Sequence, residues 1–121
     1  MESEEKPLEA LQHEAHRCIE AFGVRYFDPL TNMAMLAEEV GEVARIMARR
    51  YGQQSEKESD KESDKGKDLG RELADVLFVV MCIANQTDTD LQAAWEAGMA
   101  HRTQRDADRH RNNPKLGGGS D

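Results

Sequence analysis

An all-α fold, a bundle of four helices, is what this sequence predicts. Three observations point there. Glu, Ala, Arg and Leu are abundant, while aromatic residues make up only 5% of the chain and β-branched residues are sparse, a composition that favours helix. Apolar residues recur at spacings of three and four in four separate stretches. Prolines, glycines and aspartates punctuate the ends of those stretches.

The first helix starts at Pro7, a residue suited to a first turn, and runs to about Phe22, with Gly23 as its stop. Leu8, Leu11, Ala15, Cys18, Ile19 and Phe22 form its apolar stripe. After a short loop, Val24 to Asp28, the second helix opens at Asp28-Pro29, a cap followed by a first-turn proline. It runs to about Tyr51, ends at Gly52, and carries Met33, Leu36, Val40, Val43 and Met47 as its expected core stripe. The third helix runs from about Lys67 to Asn85. From Val76 to Ala84 it is apolar on every side, and a helix of that kind is buried all round. A four-helix monomer can hardly surround one helix, so a dimer or higher oligomer is expected to complete the bundle. Thr87-Asp-Thr-Asp90 supplies turn and cap chemistry for the fourth helix, Asp90 to about Arg109, with Leu91, Ala94, Trp95 and Met99 expected to face inward.

At 121 residues the chain has room for one core. Residues 1–116 are expected to form a single helical domain. Within it, 53–66 is all polar, charged or glycine, contains two copies of Glu-Ser-Asp-Lys, and reads as a flexible surface loop. Residues 117–121 read as a flexible tail.

The formal charge of -8 argues against non-specific binding to a nucleic-acid polymer, which needs a basic face. It leaves room for a small anion that arrives with a divalent cation. Charge is uneven, however. Between His101 and Lys115, Arg102, Arg105, Arg109, Arg111 and Lys115 outnumber Asp106 and Asp108. That basic end is either a phosphate contact or a solvated helix end with cations near its dipole. Cys18 and Cys82 stand in no metal or redox spacing and read as buried thiols. No signal-type core follows Met1, and no apolar run approaches the ~20 residues that span a bilayer. A cytoplasmic location without a membrane partner is the expectation.

Five carboxylates interrupt the apolar patterns: Glu38, Glu39 and Glu42 on the second helix, Glu72 and Asp75 on the third. Burying such groups costs several kcal/mol each unless they are paired or bound to a cation, an order-of-magnitude figure. On a helical wheel centred on Leu36, Glu39 lies about 60° and Glu42 about 120° to one side, with Met35 and Ile46 between them. Glu38 lies further round, four residues from Glu42. Residues three apart project together, so two antiparallel helices can converge Glu39, Glu42, Glu72 and Asp75 on one point. Four anions there repel one another, and a divalent cation removes that penalty. A set of oxygens without His or Cys suits a hard ion, Mg²⁺ first and Mn²⁺ second. Di-iron bundles use Glu-x-x-His pairs, which are absent here. His13-Glu-Ala-His16 lacks the four-residue spacing of a zinc-protease helix and reads as surface. Arg45, Arg49 and Arg71 offer partial neutralisation without metal.

Glu38-Glu39-Val-Gly-Glu42 followed by Glu72-Leu-Ala-Asp75 resembles the Glu-Glu-x-x-Glu … Glu-x-x-Asp signature of the MazG-like nucleotide pyrophosphohydrolases, a branch of the all-α NTP pyrophosphatase superfamily. Leu36 to Ala44, Glu72 to Leu77, and the tail Arg102-Thr-Gln-Arg105-Asp106 with Arg109-His110 are similar to its small single-domain members. The resemblance spans roughly residues 8 to 115. One departure is the long segment between the motif halves, which bears on substrate access and leaves the acids intact. The resemblance implies hydrolysis of nucleoside triphosphates, standard or modified, to monophosphate and pyrophosphate, serving nucleotide-pool housekeeping. It implies Glu39, Glu42, Glu72 and Asp75 as Mg²⁺ ligands, Glu38 as either a further ligand or an orienting base, and Glu38 with Glu39 as the catalytic groups. It implies Arg102, Arg105 and Arg109, with Lys67 and Arg71, as phosphate contacts, and a homodimer or homotetramer. For the base, Tyr26, Phe27 and Trp95 are candidate stacking partners and Asn85 a candidate hydrogen-bonding one. Two other readings compete: a phosphoribosyl-ATP pyrophosphohydrolase of histidine synthesis, and a non-catalytic helical dimerisation module.

Overall fold

Aspartate caps begin three of the four helices. The computed structural model describes residues 5–23, 25–53 and 68–116. It places α1 at Leu8–Ala21, α2 at Pro29–Arg50, α3 at Leu69–Gln86 and α4 at Leu91–Arg111, followed by a 3₁₀ turn at Pro114–Leu116. Asp28 accepts from the Thr31 backbone N–H at 2.9 Å, Asp68 from Gly70 at 2.9 Å and Asp90 from Ala93 at 3.1 Å. Each carboxylate satisfies a backbone donor that the first turn leaves without a partner. Pro7 occupies the cap of α1 and not its first turn. The expected loop beyond Gln53, the 117–121 tail and Lys67 all lie outside the described residues.

Two helix ends use left-handed backbone. Gly23 has φ 69° and donates to the Glu20 carbonyl at 2.9 Å, closing α1. Asp88 has φ 55° after α3, and Thr89 N–H reaches back to the Ala84 carbonyl at 2.8 Å. This is the six-to-one bond of a Schellman-type end, and aspartate tolerates the left-handed region better than most residues.

α3 is the central element. It packs most extensively against α2, then α1, while α4 packs mainly on α1. Asn32 of α2 meets Gln86 of α3, and Glu39 comes to Asp75. α2 is therefore antiparallel to α3. α1 runs the same way as α2, since its Gln12 meets Asn85 near the end of α3. Both helices thus start at the same end of the bundle, and the chain after α1 must double back. Tyr26 Oη accepts from Asn85 Nδ2 at 3.1 Å, and the Phe27 carbonyl accepts from Gln86 Nε2 at 2.7 Å, which pins the returning loop against α3.

The core consists of Ala15, Ile46, Val79, Met81, Cys82 and Ala84. The stripe expected for α2 is corrected by one position. Asn32 and Ile46 are buried, and Met35, Glu39 and Glu42 are half-buried. Met33, Val40 and Met47 are exposed, and Leu36 and Val43 only half-buried. The seam toward α3 therefore follows Asn32, Met35, Glu39, Glu42 and Ile46, steps of three and four that stay on one face. Phe22 also departs from expectation: at 69% exposure it lies off the α1 stripe, because the helix ends at Ala21 and the chain turns away. On α4 no residue is buried; of the expected stripe, Ala94, Trp95 and Met99 are exposed and Leu91 is half-buried. One neighbouring helix is not enough to cover that stripe. Leu73, Leu77 and Phe78 leave one side of α3 open as well. No helix among the described residues is long and apolar enough to cross a membrane.

Candidate active site

The α2–α3 seam carries its carboxylates at half-buried positions. Glu39, Glu72 and Asp75 each present an oxygen within 4.8 Å of the other two, the one such group among the described residues. Any three points so spaced fit within a circle of radius about 2.8 Å. Hard cations bind carboxylate oxygens at roughly 2.0–2.6 Å, so side-chain adjustments under about 1 Å bring all three into range. The donor set is all oxygen, without His or Cys, and it fits a divalent cation of the Mg²⁺ or Mn²⁺ kind.

Electrostatics agree with the spacing. Burial raises the Glu39 pKa first, and the charges of Asp75, Glu72, Glu42 and Glu38 raise it further. A carboxylate pressed by four others is one that a bound cation relieves. Glu42 is half-buried and Glu38 exposed. Both stand outside the 4.8 Å group while still acting on Glu39.

A cavity of about 320 Å³ continues the same seam under the returning loop. Met35, one turn before Glu39, and Val79, one turn after Asp75, belong to its walls, along with Ile19, Phe22, Phe78 and Cys82. Arg25, Tyr26, Phe27 and Asn32 add polar and aromatic groups. A turn of helix is about 5.4 Å, so this space opens directly beside the acids. Tyr26 and Phe27 stand at the wall of that space farther from the acids, tied to Asn85 and Gln86, with Phe27 more than half exposed. The Tyr26 hydroxyl is 2.7 Å from His16 Nδ1, and its ring stacks on that imidazole with centroids 5.7 Å apart. Burial raises the Tyr26 pKa, partly offset by the hydrogen bond from Asn85.

The remaining expected residues are placed elsewhere. Asn85 gives both amide hydrogens to the Gln12 carbonyl and Tyr26 Oη, and its oxygen accepts from Gln12 Nε2 at 3.1 Å. It ties α1 to α3. Arg71 is exposed beside Glu72 at the start of α3. Arg102 lines a shallow groove on α4 with Trp95 and Met99, away from the α2–α3 seam. Arg105 holds Asp106 in a two-pronged pair at 2.7 and 2.8 Å, and Arg109 adds a contact at 3.3 Å. The hydrogen bonds from Arg105 draw the Asp106 pKa down to about 2. Sequence reasoning missed Asn32 and Gln86. The signal for Asn32 was its register: it sits seven residues before Glu39 on the buried face, where an amide needs a reason to be.

Comparison with known proteins adds an independent line. The profile of the MazG nucleotide pyrophosphohydrolase domain matches residues 27–112. The uncharacterized protein YpjD of Bacillus subtilis is 39% identical over 105 residues, covering 87% of this chain and 91% of that protein. The crystal structure of YpjD superposes with a TM-score of 0.71 at 38% identity, over 86% of this chain and 100% of that one. A crystal structure of a Bacillus-conserved MazG protein, described as a nucleotide pyrophosphohydrolase, gives 0.69 at 36% identity, covering 88% and 99%.

Proposed function

Since this chain belongs to the MazG nucleotide pyrophosphohydrolase family, we propose that it hydrolyses nucleoside triphosphates to nucleoside monophosphates and pyrophosphate, with Mg²⁺ as its metal. The observation that carries this reading is the convergence of Glu39, Glu72 and Asp75 on one point of the α2–α3 seam. We assign those three, with Glu42, to metal binding. A hard divalent cation, when bound, neutralises the triphosphate and lowers the pKa of a water beside it.

The chain's own groups do the rest. Glu38, exposed next to Glu39, takes the proton from a water whose oxygen attacks the α-phosphorus. The bond from that phosphorus to the bridging oxygen breaks, and pyrophosphate leaves. Arg71, beside Glu72 at the start of α3, is assigned to its negative charge. The cavity beside the acids takes the nucleoside, with Tyr26 and Phe27 at its wall. Exposed apolar side chains along α2, Leu30, Met33, Val40 and Met47, support a homodimer or homotetramer that covers them.

The test is a panel of standard and modified triphosphates, with phosphoribosyl-ATP included, incubated with Mg²⁺ or Mn²⁺ while pyrophosphate is measured. Release from at least one nucleoside triphosphate is expected. Asp75→Asn and Glu72→Gln should each lower it by about 100-fold or more, since even residues behind metal ligands matter by 10–100-fold. No release from any substrate, or full activity in both variants, would overturn the proposal.

A further inference from the structure

Asn32 is 96% shielded from solvent, with a relative exposure of 4%, and it lines the cavity beside the acids. Its amide orientation is dictated by a backbone carbonyl. The Phe27 carbonyl can only accept, and Gln86 Nε2 donates to it at 2.7 Å. Gln86 must therefore turn Oε1 toward Asn32, and Asn32 Nδ2 donates to that oxygen at 2.7 Å and to the Phe27 carbonyl at 3.4 Å. Both donors of Asn32 are spent, and flipping either amide would set oxygen against oxygen. What remains is Oδ1, which accepts nothing from the described residues. The structure thus holds a fixed acceptor, on a buried side chain, at the wall of a mostly apolar cavity, seven residues or about 10 Å along α2 from Glu39.

Resting on the nucleotide reading above, we propose that Asn32 selects the nucleobase, favouring a ring with an amino group over its keto counterpart. An exocyclic amine donates to Oδ1. A carbonyl in the same place faces it lone pair to lone pair, and the acceptor loses its partner without regaining water. Cytosine is preferred to uracil, and adenine to hypoxanthine. Gln86 acts as a positioning residue, because it sets which end of the Asn32 amide faces the ligand.

Two readouts on the full chain test this. One is binding of cytidine, uridine, adenosine and inosine monophosphates by calorimetry with Mg²⁺ present. The other is kcat/KM for the matching triphosphates. The amino member of each pair should be favoured by about 10-fold or more, the scale of one misplaced buried hydrogen bond. Gln86→Met frees the amide to rotate, and the preference should fall toward parity through KM with helical content unchanged. Asn32→Leu, which removes the acceptor, serves if that variant fails to fold. Equal handling of amino and keto nucleotides by the wild type, or an unchanged preference in the folded variants, overturns the inference. Pyrophosphate release without base preference sinks this inference alone. Base-selective monophosphate binding without any release sinks the hydrolase reading alone.

Discussion

Replacing Glu39 by Gln should make the metal-free protein more stable, and the structure sets the size of the gain. Glu39, Glu72 and Asp75 hold oxygens within 4.8 Å of one another. Two unit charges at that distance repel by about 0.9 kcal/mol in a water-like dielectric, and by more as water is excluded. The substitution removes two of the three repulsions, so about 2 kcal/mol is a fair figure for half-buried groups that solvent still screens. At about 4 °C per kcal/mol for a chain of this length, Tm should rise by roughly 8 °C in chelator.

The direction with pH is fixed too. The folded Glu39 pKa lies above its ordinary value of 4.5. Its contribution to stability is therefore fully present below that value and is lost as pH rises through the folded one. The advantage of Glu39→Gln should be absent near pH 4 and full at pH 8. Saturating Mg²⁺ should reverse the order, since ligand at 100 times its dissociation constant stabilises the wild type by about 2.7 kcal/mol and the variant, short of one oxygen, by less. Thermal unfolding followed by circular dichroism, at both pH values with chelator or metal, measures all of this. A variant no more stable than wild type in chelator at pH 8, or equal stabilisation of both by Mg²⁺, would refute the electrostatic account.

Ile46, only 2% exposed on the α2–α3 seam, should cost about 2–5 kcal/mol when cut to Ala, visible as a urea midpoint lowered by roughly 1–2 M. Asp28 has its pKa lowered by the Thr31 N–H and hydroxyl. Its capping contribution is present above the ordinary aspartate value and lost as pH falls through the folded one, so Asp28→Asn should flatten the acid side of the stability profile while Asp28→Ala lowers stability at neutral pH. Unfolding curves from pH 2 to 7 separate these outcomes. Met33→Glu with Met47→Glu should shift sedimentation toward a single chain and leave the helical spectrum in place; an unchanged sedimentation coefficient would show that this side of α2 is not the subunit interface.

Helix number, order and most boundaries were legible in the residues. Asp28-Pro29, Gly23 and Asp90 act through local geometry, which needs no tertiary partner to be read. The pairing of Glu39 with Glu72 and Asp75 was also legible, because steps of three on two antiparallel helices leave few other meeting points. Glu42 shared the same spacing, but a helix face turns as it rises, and the structure leaves it outside the 4.8 Å group. The α2 stripe was misread by one position. The seam that α3 covers carries Asn32, Glu39 and Glu42 between Met35 and Ile46, so hydrophobic periodicity favours the more apolar stripe beside it.

By itself, then, the sequence determined an all-α chain with acids at one register of two helices, through propensity, capping and spacing, all of which act over a few residues. Only the tertiary structure decided that the loop after α1 doubles back. It alone shaped a cavity along the α2–α3 seam, spent the Asn85 amide on α1 and on Tyr26, and locked the amide of Asn32 through Gln86 and the Phe27 carbonyl. Those outcomes depend on groups more than 50 residues apart along the chain, such as Asn32 and Gln86. Their approach is set by how three helices pack, a condition that no local pattern encodes.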